Sequence, residues 1–137
     1  MRPAALFVVL VVAKAAALWG HRLPVSAWTP VAFLWHDALV VLAFAAVDAW
    51  LGARTRAAWT IYAVLAGYAA VNLPIVRVLS TPLTAAMLRA TGGTIADSIR
   101  LYLTWPNLLL IALVSAIACA APLAFARVTR ARVVAAL

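Results

Sequence analysis

Acidic residues are almost missing from this chain of 137 residues: three Asp (Asp37, Asp48 and Asp97) and no Glu stand against ten Arg and one Lys. Charge of either sign is scarce, at 10% of residues, where a soluble domain carries about a quarter. That excludes an ordinary water-soluble globule. So few carboxylates also leave no cluster for a divalent metal, and with only His21 and His36 there are too few imidazoles for a Ser-His-Asp set or a zinc site of three or four ligands. Cysteine is single. Cys119 lies inside an apolar run, where a thiol behaves as a small hydrophobe, so it forms no internal disulfide and gives no compartment signal. Gly-rich phosphate loops and G-x-S-x-G elbows are absent as well. The chain therefore carries no catalytic residue, no cofactor site and no metal site of its own.

What is there is hydrophobic: 69% of the residues are apolar, and the formal net charge is +8. Basicity normally raises nucleic acid as a partner. Here the basic residues are scattered among long apolar runs and form no patch, which points to a lipid bilayer and away from nucleic acid. The preference for Arg over Lys and the abundance of Ala suit a GC-rich bacterial genome. A transmembrane helix needs roughly 20 mostly apolar residues, so a chain of this length holds four or five spans and little else.

The apolar periodicity predicts an all-α polytopic membrane bundle with spans at residues 3–20, 28–51, 57–79 and 105–126. Residues 3–20 resemble a cleaved signal peptide in their Arg2 flank and Ala15-Ala16-Ala17 run, but Lys14 interrupts the core and three more spans follow, so the segment is expected to stay. Lys and Arg in the connections divide six to four in favour of a cytoplasmic N-terminus: Arg2, Arg54, Arg56, Arg127, Arg130 and Arg132 inside, Arg22, Arg77, Arg89 and Arg100 outside. A multi-pass protein of the bacterial inner membrane is the localisation implied. Trp28, Trp50, Trp59 and Trp105 fall at span ends, as an aromatic belt requires.

Residues 80–104 read as an extracytoplasmic interfacial or re-entrant helical hairpin. Its first helix would be capped by Ser80 or Thr81 with Pro82 in the first turn, and Gly92 and Gly93 would end it. Thr94 and Asp97 have the spacing of a capping box for the second. After Arg127, Arg130 and Arg132 the chain turns apolar again at residues 133–137. That pattern is expected of a fifth span cut off in its first turns, and hence of a fragment of a longer protein.

Ionisable residues inside spans are costly and need an account. At about 1.5 Å per residue, Lys14 lies roughly 9 Å, Asp37 roughly 14 Å and Asn72 roughly 10 Å from the outer ends of their spans. Lys14, His36, Asp37 and Asn72 are therefore expected to meet in the outer half of the bundle with Arg77 just above. Asp37 and Asp48 are eleven apart, which returns to within about 20° on a helix and gives one acidic stripe. Asp48 is expected to be neutralised by Arg54 and Arg56. The cluster reads either as a proton relay or headgroup pocket, or as Lys14 and Asp37 holding two helices together, which their own electrostatics adequately explains. Small residues at four-residue spacing, Ala63 and Gly67, and Ala112, Ala116 and Ala120, are expected by chance in a chain this rich in Ala. Asn72 and Pro74 are expected to bend the end of the third span.

The run Asn72-Leu-Pro-Ile-Val-Arg-Val-Leu-Ser-Thr-Pro-Leu-Thr84, continuing through Met87-Leu-Arg-Ala-Thr-Gly-Gly-Thr-Ile-Ala-Asp-Ser-Ile99 to Tyr102-Leu-Thr-Trp-Pro-Asn107, resembles the membrane-embedded N-terminal region of bacterial sulfatase-like proteins of the alkaline phosphatase superfamily. These are similar in layout to lipoteichoic acid synthases and phosphoethanolamine transferases. The likeness is strongest over residues 72–107 and elsewhere is mostly one of layout. It implies about five spans followed by an extracytoplasmic hydrolase or transferase domain, which would hold the nucleophile and the divalent metal. On that reading residues 1–137 are the membrane anchor and platform, and the partners are the bilayer, a lipid substrate and the protein's own outer domain. Ser80-Thr-Pro82-Leu-Thr84 has half of the sulfatase Cys/Ser-x-Pro-x-Arg signature, but Thr84 stands where Arg is required, and Cys119 has Pro122 at the wrong spacing. The alternatives are a complete four-span protein, such as a proton-coupled transporter subunit using Lys14 and Asp37, or a structural assembly partner.

Overall fold

The computed structural model of the protein describes residues 1–19, 26–52, 54–79, 81–84, 86 and 104–135. They form four long helices and no strand: α1 (Arg2–Leu18), α2 (Thr29–Leu51), α3 (Thr55–Leu79) and α4 (Trp105–Ala135). The starts of α1 and α2 carry Pro3 and Pro30 in their first turns, where a missing N–H costs nothing. α2 ends at Gly52, whose φ of +48° is the left-handed conformation that an L side chain resists. The Arg54 amide donates to the Leu51 carbonyl at 2.9 Å, and α3 begins at once. This tight turn makes α2 and α3 antiparallel neighbours.

α1 is the centre of the bundle and packs against α2, α3 and α4. Ala5, Leu6, Val9 and Ala13 form its buried stripe, at three- and four-residue spacing. They meet Tyr62, Ala66, Ala69, Ala70 and Leu73 of α3 and Val114 and Ala118 of α4 in one core. α2 lies at the margin, and Phe44 is its one buried residue. The outward faces are apolar: Val31, Leu39, Leu42, Val64, Leu109 and Leu123 are all exposed. A water-soluble protein of this size does not present so much contiguous apolar surface. α2, α3 and α4 are each long and apolar enough to cross a membrane.

α1 has 17 residues, about 25 Å at 1.5 Å per residue, at the short end of the length a crossing needs. One expectation is corrected. The expected fifth helix does not open at Val133, because α4 runs without a turn through Arg127 and Arg130 to Ala135. Its 31 residues measure about 46 Å, against roughly 30 Å of bilayer hydrocarbon. The basic residues that suggested a loop lie on the helix instead, since Arg is a good helix former and nothing between 127 and 135 breaks the backbone ladder. Of the hairpin at 80–104, residues 80, 85 and 87–103, and with them Thr94 and Asp97, lie outside the described residues.

Candidate functional site

The polar side chains lie on the two faces where α1 and α3 meet their neighbours. Lys14 on α1 reaches α2, donating to the Phe33 carbonyl and to Asp37 Oδ2, the latter at 2.5 Å. Both partners keep some access to the surface, 29% for the Lys14 side chain and 17% for Asp37. Asp37 lies one turn after Phe33, so a single ammonium ties a whole turn of α2.

The other expected members of this cluster are only partly brought in. His36 faces outward and stacks on Trp35 with ring centroids 3.7 Å apart, away from the ion pair. Arg77 donates to the Ala16 carbonyl at 3.4 Å, bridging α3 to the end of α1. Asn72 turns to a different task. Its Oδ1 accepts the Leu83 amide at 2.7 Å, while Tyr68 donates its hydroxyl to the Leu83 carbonyl at 3.1 Å. Two α3 side chains thus satisfy both backbone groups of one residue that has no helix to satisfy them. Tyr68 and Asn72 lie roughly 14 Å and 8 Å below Arg77 along α3, so the chain leaving α3 folds back beside it to that depth. Irregular backbone at such depth is tolerated only when its polar groups find partners. Pro82, Leu83 and Thr84 are not helical, which corrects the helix expected to start at Pro82 under a Thr81 cap. The Leu83 amide is instead tied to Asn72 of α3.

At the opposite end of α1, Arg2 pairs with Asp48 of α2, and its guanidinium carbon lies 5.5 Å from the centroid of the Trp59 ring on α3. Sequence reasoning gave Asp48 to Arg54 and Arg56, and this is a correction. Antiparallel packing brings position 2 level with 48 just as it brings 14 level with 37, while Arg54 and Arg56 lie beyond the Gly52 turn. The signal was present in the spacings: twelve residues separate Arg2 from Lys14 and eleven separate Asp37 from Asp48. The acidic stripe of α2 faces α1 and is fully used by it.

A third tie is buried. Tyr62 on α3 donates to the Ala118 carbonyl of α4 at 2.7 Å. That carbonyl is free because Pro122, four residues on and inside the helix, has no N–H to return. The small residues at four-residue spacing make no close helix contact, in keeping with a chance pattern: Ala63, Gly67, Ala112, Ala116 and Ala120 are exposed, and the α3/α4 contact runs through Tyr62, Ala66, Val114 and Ala118. Beside that contact lies an open groove of about 310 Å³, with Trp59 and Pro122 at one end and Gly67 and Ser115 at the other. Cys119 also lines it and is exposed.

Trp28, Trp50, Trp59 and Trp105 sit at helix ends and are exposed, as expected of interfacial aromatics. Among the described residues no three His, Cys, Asp or Glu side chains come together, and the two described acids, Asp37 and Asp48, are engaged with α1. What the arrangement does chemically is to hold helices in register. No family model, no curated protein and no solved structure matches this chain.

Proposed function

We propose that this chain is a membrane-embedded helical platform, an anchor that positions another domain or subunit and performs no chemistry itself. One observation carries the reading: Lys14, Asp37 and Asp48, three of the ionisable groups inside the expected spans, are spent on fastening α1 to α2. Ion pairs used this way set helix register. The enzyme class it would serve is a sulfatase-like hydrolase or transferase, acting on a lipid-linked substrate outside the cytoplasmic membrane of a bacterium. That finer reading rests on the resemblance over residues 72–107. It carries a topological requirement: with Arg2 on the cytoplasmic side, α4 returns to that side, so an outer catalytic domain needs a further crossing after residue 137.

Two measurements test this. Reporter fusions at Ser98 and Arg130 are expected to read outside and inside respectively, and the reverse result overturns the topology. Extending the coding sequence past Leu137 is expected to reveal another span and then metal-binding Asp and His residues. A continuation without them removes the enzyme class while leaving the platform standing.

The second reading, a proton-coupled transporter subunit, draws on the partial exposure of Lys14 and Asp37. It expects Asp37→Asn to abolish proton flux in vesicles with the chain still inserted. The platform reading expects no flux to lose.

A further inference from the structure

The groove between α3 and α4 has a length, a polarity and a charged end that together select an occupant. It is lined mostly by small residues between Trp59 and Tyr62 at one end and Ser115 at the other, and along α3 it runs from Trp59 to Gly67. Eight residues of helix are about 12 Å, close to the roughly 15 Å depth of one leaflet of a 30 Å hydrocarbon core. A partner helix crossing the whole bilayer would be seated over less than half its length. An acyl chain entering from one leaflet would be seated over nearly all of it.

The charge at its mouth has a definite sign. Arg56 is exposed and lies seven residues before Ala63, two turns below it and within about 20° of the same face. Arg54 and Arg127 are exposed at the same end of the bundle, where the antiparallel α3 and α4 place them level. Asp37 and Asp48 neutralise Lys14 and Arg2, so neither compensates these three guanidiniums. A headgroup phosphate would do so, and Trp59 at the rim suits the same interfacial depth.

We propose that this groove binds an anionic phospholipid, with an acyl chain along Ala63, Gly67, Ser115 and Cys119 and its phosphate at Arg56. The proposal rests on the chain spanning a membrane, but not on any enzyme being attached to it. Gly67 offers a clean way to close the site, because a Cβ built there meets no atom within 4 Å. A leucine at this position therefore starts into the open space of the groove.

The experiment reconstitutes the full chain in nanodiscs of mixed phosphatidylglycerol and phosphatidylcholine and counts retained lipids by native mass spectrometry. Phosphatidylglycerol is expected to be retained preferentially. Arg56→Ala is expected to lower that preference about fivefold, the effect of one surface cation on an anionic headgroup. Gly67→Leu is expected to lower retention of both lipids with helix content unchanged. An unaltered preference in Arg56→Ala overturns the headgroup assignment, and unaltered retention in Gly67→Leu overturns the groove. Oxidation that links Cys119 of one copy to Cys119 of another assigns the groove to a second chain and also overturns the proposal. A chain that washes out of membranes in alkaline carbonate removes the membrane reading itself, which the lipid counts alone would not show.

Discussion

Helices α1 and α2 lie side by side, antiparallel, and are held by different forces. α1 is short, and its buried stripe of Ala5, Leu6, Val9 and Ala13 touches three neighbours. α2 is six residues longer and buries Phe44 alone, yet it is fastened at both ends, by Arg2 to Asp48 and by Lys14 to Asp37. In water the more apolar helix would be the more deeply buried. In lipid, acyl chains solvate leucine as well as protein does, so apolar surface supplies no net drive for association. What then holds a helix is close packing or polar contact, and this bundle uses one for α1 and the other for α2.

The largest test of that contrast is Leu6→Ala, at a position with no exposed surface. Opening a cavity where α1 meets α3 and α4 is expected to cost about 2–3 kcal/mol, read as a loss of resistance to unfolding in mixed detergent micelles. All four helices should separate together. Asp37→Ala is expected to cost less, about 1–2 kcal/mol, since the pair is partly exposed, and its effect should be local. Cross-linking between α1 and α2 should fall while that between α3 and α4 is unchanged. Loss of both would mean that α2 belongs to the core after all.

Tyr62→Phe is expected to cost about 1 kcal/mol, in the range of single hydrogen bonds between membrane helices. In a Pro122→Ala background the cost should largely vanish, because the restored amide at 122 can bond the Ala118 carbonyl itself. A cost that persists in the double variant would show that the hydroxyl does more than satisfy the carbonyl left open by Pro122. Smallest of all is Ala116→Leu on the exposed face of α4, expected to stay within about 0.5 kcal/mol. A larger loss would place a neighbour against that face.

The helices were legible in the sequence because long apolar runs bounded by Pro, Gly and Arg have few alternatives. α2 and α3 fall within two residues of their expected bounds. The Lys14 to Asp37 pair was legible for a related reason: an intramembrane charge must find its opposite, and matched depths on adjacent helices leave little choice. Depth alone did not say which residues share a side. His36 and Asn72 have suitable depths and face elsewhere. Arg54 and Arg56 were nearest to Asp48 in the chain, whereas the antiparallel register of α1 decided its partner. The end of span four is not legible in the sequence because Arg127, Arg130 and Arg132 suit a loop and a continuing helix equally well.

The bond from Tyr62 to the Ala118 carbonyl spans 56 residues of chain, and the donor is made first. As α4 enters the bilayer it brings a carbonyl that its own backbone leaves open at Pro122, and lipid offers nothing to satisfy it. α3 must still be close by, turned so that Tyr62 faces the newcomer. For a chain that spans a membrane, the insertion of α4 would in this way depend on its predecessor, and the pair would enter as a unit. Synthesis in the reverse order, by circular permutation with α4 ahead of α3, would deliver the open carbonyl to lipid before any hydroxyl was there to meet it.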